Sequence, residues 1–441
     1  MVARRPDDPP IDSHGFGPQV ISLFLRLVLV AGVSLRGAPR AMATISEALG
    51  LELAVPCWTT GRLWLLRLGH AMLTAELSEA DDWAWLIDHS VQIGQEKCLV
   101  ILGIRLSDLP ERGQSLRHED LELIELLPAK SWTRGEVDQA LEKAVGRTGH
   151  APRVIVDDHG VDLTGGVALF QQRHLETVEI YDAKHKAACL LKSRLEKNPR
   201  WQEFQTGVGQ TRCSVQQTEL AFLTPPAPKP KARFMNLGPQ LAWAKRVLAI
   251  VRQSRRAGIL QSVSAAEALP SAARLKEKLG WIEAFADDLA DWSQWQQVVD
   301  VAVASVNEQG VYKGAAALLA QRFWQLDALG ESAKQLAGQL VEFAASQECR
   351  VRPGERFPGS TEVLESCFGK FKHLEKQQSR GGFTQLLLGF GALLAKVTTA
   401  TVRAALQTSR TADIRSWAKQ ALGVTVFAQR KLAFASATEM G

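Results

Sequence analysis

At 441 residues the chain exceeds the roughly 250–300 at which one hydrophobic core stops growing, so two or three domains are expected. Hydrophobic residues make up 46% and charged residues 22%, enough apolar material for cores that need no covalent staples. The six cysteines (Cys57, Cys98, Cys189, Cys213, Cys349, Cys367) are scattered without a CxxC pair, which argues against a zinc site and against a secreted disulfide framework.

The net charge of +5 conceals a segregation. Residues 184–256 carry 15 Lys/Arg against 3 Asp/Glu, residues 351–441 carry 13 against 6, and residues 257–350 between them carry 7 against 12. Two basic blocks of this kind suit a surface that neutralises phosphates, each contact releasing condensed counterions. The apolar run from Ile21 to Val33 is too short for a membrane span, which needs about 20 residues, and Arg26 interrupts it. The residues before it lack a signal-peptide pattern, so a cytoplasmic protein without a membrane partner is expected.

Residues 1–80 read as a helical region: ISLFLRLVLVAGV, RAMATISEALGL and TTGRLWLLRLGHAM. The last two are helix-turn-helix-like, although the segment between them is longer than usual, and Arg62 and Arg67 would then face DNA phosphates or base edges. From 81 to 206 the pattern changes. WAWLIDHS and KCLVILGIRL form a predicted hairpin, LELIELLPA a third strand, and TRGEVDQALEKAVG a helix. RVIV is a fourth strand reaching Asp157 and Asp158, LTGGVALFQQRH a helix, ETVEIY a fifth strand, and AKHKAACLLKSRLEK a helix. The order β-β-β-α-β-α-β-α resembles the first part of a ribonuclease-H-like sheet, in which strand four pairs beside strand one. Asp182 is read as part of strand five, with Lys184, His185 and Lys186 as phosphate contacts.

Residues 207–350 begin with a Pro-dense linker, TPPAPKPKARF, and continue as helices without strand alternation. Trp281, Trp292, Trp295 and Trp324 invite base stacking, but their helical apolar positions make a core role the better reading. Residues 351–441 leave this insertion through RPGERFPGS and close the core with the helix STEVLESCFGKFK and basic C-terminal helices. The expected fold is therefore α/β, a mixed sheet interrupted by an all-helical insertion, with a helix-turn-helix-like N-terminal region.

Three acids sit where metal-dependent phosphodiester chemistry needs them. Asp88 ends the apolar run WAWLID, Asp158 follows RVIV, and Glu365 lies on the late helix. Carboxylates at strand ends hold two divalent ions, Mg²⁺ with Mn²⁺ substituting, one activating the attacking oxygen and the other the leaving one. Asp158 is preferred to Asp157, which strand alternation points the other way, and Glu365 to its one-turn neighbour Glu362. Lys372 follows Glu365 by two helical turns and shares its face.

Asp88 in IDHSVQIG, the strand KCLVILGI, Asp158 after a fourth strand, a helical insertion, and VLESCFGKFK followed by RGGF resemble the DDE transposases of bacterial insertion sequences. The resemblance covers about residues 80–400. It implies Asp88, Asp158 and Glu365 as catalytic, metal-binding triad, and Lys370, Lys372 and Arg380 on DNA. It also implies terminal inverted repeats and target DNA as partners, with a homodimer on paired ends. Pro358 and Thr361 stand where some related enzymes have Tyr and Arg. Two other readings share the features: a transposase-derived DNA-binding protein without catalysis, and a ribonuclease-H-like nuclease or resolvase.

Overall fold

Five apolar runs, rich in β-branched and aromatic residues, pair into one sheet. They are β1 (Trp83–Ile93), β2 (Glu96–Arg105), β3 (Glu122–Ala129), β4 (Val154–Asp157) and β5 (Val178–Tyr181). The order is β3-β2-β1-β4-β5. β1 runs antiparallel to β2, and β2 antiparallel to β3. β1 is parallel to β4 with Ala84, Trp85 and Leu86 opposite Val154, Ile155 and Val156. This is the computed structural model of the protein, and it describes residues 8–93, 96–109, 115–227, 234, 237–258, 272–326, 329–377, 383–423, 429–430 and 434.

The chain divides into two units, residues 1–180 with 360–441, and residues 181–359. In the first unit, helices α1 (Pro18–Leu29), α2 (Gly37–Leu49) and α3 (Trp58–Thr74) precede the sheet. Helix α4 (Arg134–Thr148) links β3 to β4, and α5 (Val161–Gln171) links β4 to β5. A capping box starts α4: the Glu136 amide donates to the Thr133 hydroxyl, and the Thr133 amide donates to the Glu136 carboxylate at 2.7 Å.

The second unit is helical. It contains α6 (Ala183–Leu195), α7 (Pro199–Val215), α8 (Leu237–Gly258), α9 (Ala272–Leu279) and α10 (Ala286–Gln309). Then come α11 (Ala315–Trp324) and α12 (Glu331–Glu348), with a two-stranded ribbon of β6 (Val311–Tyr312) and β7 (Arg356–Phe357). Its core is aromatic, with Trp201 edge-on to Trp292 at 4.8 Å and Phe204 packed on Trp292 at 5.2 Å. Because Leu191, Leu195, Trp201 and Phe204 belong to that core, the helical unit starts at Tyr181, ahead of the Pro-dense break at 207. Asp182, read above as part of strand five, caps α6 instead, its carboxylate accepting from the His185 amide at 2.7 Å.

The chain rejoins the first unit at Ser360 and adds α13 (Glu362–Glu375), α14 (Gly389–Leu394), α15 (Thr399–Thr408) and α16 (Thr411–Leu422). One face of the sheet presents Trp83, Trp85, Ile87, Leu99, Ile101, Ile124 and Ile155 to Val137, Leu141, Leu163, Val167 and Phe170 of α4 and α5. By strand alternation Ala84, Leu86 and Val156 face the other way. α3, α13 and α14 all contact the sheet. No helix among the described residues is long and apolar enough to cross a membrane.

Gly69 of α3 lets two backbones touch: a Cβ there would run into the Leu388 carbonyl at the start of α14. Gly69→Ala is expected to destabilise the fold by about 1–3 kcal/mol or more, because rigid backbone rather than a flexible tip must yield. Gly338→Ala, mid-helix in α12 with open space at its Cβ, is expected to stabilise by about 0.5–1 kcal/mol. Urea unfolding midpoints of the two variants check both signs.

Candidate functional site

Asp88 is 6% exposed and is the last residue of β1 in regular register, opposite Val100; the ladder shifts between Asp88 and Val91. Such irregularities terminate pairing and re-aim side chains, often beside active sites. Trp83, Trp85 and Ile87 face α4 and α5, so alternation turns Asp88 to the opposite face, the one with Leu86. Leu86 lies opposite Val156 on the parallel neighbour. Continued by two residues, that register would set Asp88 against Asp158, which lies one residue past the end of β4.

Beyond β4 the chain makes a tight turn. Asp157 Oδ1 accepts the His159 amide at 2.7 Å, and Asp158 Oδ1 accepts the Gly160 amide at 2.9 Å. His159 has φ of +58°, a left-handed conformation uncommon for a residue with a side chain. Asp157 is fully buried. Burial, reinforced by the carboxylate of Glu179 on β5, pushes its carboxyl up to about 9. His89, after Asp88, stacks on Trp132 with ring centroids 5.8 Å apart. Burial and then Lys97 hold its imidazole below the ordinary value, while Asp158 and Asp162 pull it upward.

α13 contacts β1 and α14 and buries a stripe of Val363, Leu364, Cys367, Phe368, Phe371 and Leu374. Glu365 stands half-buried in its first turn, and Lys372 is exposed two turns on. Asp88, Asp158 and Glu365 thus lie in one unit: Asp88 within β1 at its ladder shift and not at the strand end expected from sequence, Asp158 one residue past β4, and Glu365 on a helix packed against β1. Their ligand atoms do not form a group within 4.8 Å of one another. Among the described residues, the group of three that does so is Asp157, His159 and Glu179. The sequence reading missed His159 and Glu179 and set Asp157 aside; the cue was a His directly after two strand-end acids and an acid inside the next apolar strand.

The cationic residues separate into several environments. Arg67 is turned inward, donating to the Ser409 and Leu406 carbonyls of the α15 region and lying 3.0 Å from His14 Nε2. That geometry removes it from the DNA-reading role expected above; a helix whose Trp64, Leu65, Leu66 and Leu68 are all buried has little surface to offer a groove. Arg62 instead lines a cavity of about 680 Å³ with Arg36, Trp58 and Leu374. There the Arg36 guanidinium lies 5.0 Å from the centroid of the Trp58 ring. Lys370 is half-buried, 3.4 Å from His118 Nδ1. Lys184, His185 and Lys186 occupy the first turn of α6 in the second unit, where the Lys186 ammonium lies over the rings of Tyr181 and Phe343. Arg380 lies outside the described residues. Trp292 and Trp295 are core residues and Trp281 packs against them, whereas Trp324 is 88% exposed.

Arg67→Ala is expected to lower stability by about 1–3 kcal/mol, by leaving buried carbonyls without donors, with no loss of DNA affinity beyond that from unfolding. Chemical denaturation and DNA binding of the same variant check the two halves. Cys57 gives a second expectation. It is exposed just before α3, and contacts to the hydroxyls of Thr59 and Thr60 at 3.0 and 3.1 Å lower its thiol to about 7. Iodoacetamide should therefore label Cys57 with a midpoint near pH 7 and ahead of exposed Cys189, Cys213 and Cys349, as peptide mapping would show. No protein-family model matches the chain, and a search of curated proteins finds no match.

Proposed function

We propose that this chain is a transposase of the DDE type, binding the terminal inverted repeats of an insertion sequence and carrying out metal-dependent DNA cleavage and strand transfer. The observation that carries this reading is the register of β1 against parallel β4, which, extended by two residues, would set Asp88 against Asp158. Three further features support it: the order β3-β2-β1-β4-β5, which suits a ribonuclease-H-like core; the helical unit interposed between β5 and α13; and the return of Glu365 on a helix packed against β1.

The donor set fits Mg²⁺, with Mn²⁺ able to substitute: three carboxylates offer hard oxygens, and such ions keep several waters besides one or two carboxylates each. Two bound ions would polarise the phosphodiester and lower the pKa of the attacking water or 3′-hydroxyl. Asp88, on the best-held strand, would hold these ions together with Asp158 and Glu365. The Asx turn from Asp158 to Gly160 fixes the second carboxylate before DNA arrives. Lys372, exposed on the Glu365 face, takes a phosphate at the transposon end. Arg36, Arg62 and Trp58 around the 680 Å³ cavity offer a second backbone contact. A homodimer on paired ends belongs to the same proposal.

The test uses the full chain, DNA bearing the element ends, and Mg²⁺ or Mn²⁺. Asp88→Ala, Asp158→Ala and Glu365→Ala should each lower strand cleavage by more than about 100-fold, beyond the 10–100-fold that outer-sphere partners of a metal usually carry. End binding should survive in all three. Lys372→Ala should weaken binding and reduce its salt slope by about 1. Full cleavage by Asp88→Ala contradicts the proposal. Metal-independent end binding with no nicking by the unmodified chain would assign it instead as a transposase-derived DNA-binding protein.

A further inference from the structure

We infer that Asp157, His159 and Glu179 form a binding site for a divalent transition-metal ion of the Zn²⁺ class, separate from the triad. The three ligand atoms lie within 4.8 Å of one another, and His159 Nε2 is already 3.5 Å from Glu179 Oε1. Ligands held 2.0–2.2 Å from a tetrahedral ion sit about 3.5 Å apart, so only a small contraction closes the site.

The second observation is Asp157 itself. Its side chain is fully buried, Oδ1 is used by the His159 amide, and Oδ2 has no hydrogen-bond partner. A buried carboxylate oxygen in that state is costly. The charged groups that act on it are Glu179 and Asp158, both acidic, and Glu179 can pair with it only by sharing a proton. A cation would pair with both carboxylates at once. The backbone is also set for ligation: Asp157 ends β4, Glu179 lies in neighbouring β5, and the left-handed turn swings the His159 ring back toward both.

Ligand chemistry decides the metal class. One imidazole nitrogen with two carboxylates favours Zn²⁺, Co²⁺ or Mn²⁺, whereas Mg²⁺ and Ca²⁺ prefer all-oxygen sets. Three protein ligands leave a fourth position for water, on the His159 side, whose side chain is 31% exposed. Asp157 points to the α4/α5 side with Ile155, away from the face of Asp88. A metal there would tie the end of β4 to β5 and fix the turn that carries Asp158.

The test is made in the Asp88→Ala/Glu365→Ala background, so its outcome does not depend on the transposase proposal. Co²⁺ is titrated into the full chain in excess Mg²⁺, read by visible absorption, and then displaced by Zn²⁺. One Co²⁺ per chain is expected, with affinity lowered by at least about 100-fold in His159→Asn and in Glu179→Gln. Asn tolerates the left-handed backbone of position 159, and Gln keeps the shape of Glu179, so both are expected to fold. NMR of the Co²⁺-loaded background protein gives a reading without further substitution: a strongly shifted exchangeable imidazole N–H is expected. No bound Co²⁺, equal affinity in His159→Asn, or no shifted imidazole signal would each overturn the inference and leave Asp157 and Glu179 as a proton-sharing pair.

Discussion

The proposed catalytic triad depends on how β1 lies against β4. The two strands are parallel neighbours in the middle of a five-stranded sheet, with Trp85 opposite Ile155 and Leu86 opposite Val156. A one-residue slip would exchange the faces of the whole strand. It would drive Trp83 and Trp85 out of their packing against α4 and α5 and turn Asp88 into that apolar layer. The tryptophans therefore fix the register, and the register aims the carboxylate.

That placement concentrates negative charge. Asp88 at the ladder shift within β1, Asp157 and Asp158 at the end of β4, and Glu179 in β5 lie on adjacent strands, and Asp88, Asp157 and Glu179 are buried. Burial and the neighbouring Glu179 carboxylate push the Asp157 carboxyl up to about 9. The α13 helix adds a half-buried Glu365 and an exposed Lys372 on one face, which the proposed function would use as an ion ligand and a phosphate contact.

The strands were legible as short apolar runs, although β1 continues five residues past Asp88 to Ile93, so that acid sits within its strand while Asp157 ends β4. The helical second unit was legible in type but not in extent. Nothing local distinguishes AKHKAACLLKSRLEK from a helix covering the sheet; its partners Trp201, Phe204 and the residues of α10 decide that. Arg67 looked like a DNA contact because its acceptors lie 339 and 342 residues away, beyond any sequence window. The Asp157, His159 and Glu179 group was hidden for a related reason. It needs the adjacency of β4 and β5 together with a left-handed histidine, and no spacing rule encodes either.

The central claim is that Asp88, Asp158 and Glu365 converge on bound metal. Iron-mediated hydroxyl-radical cleavage measures this directly, since Fe²⁺ replacing Mg²⁺ cuts the backbone only near its ligands. The account predicts cuts beside Asp88 and Glu365 as well as beside Asp158, all suppressed together by excess Mg²⁺. Cuts confined to the segments around 157–159 and 179, with none near 88 or 365, would contradict it.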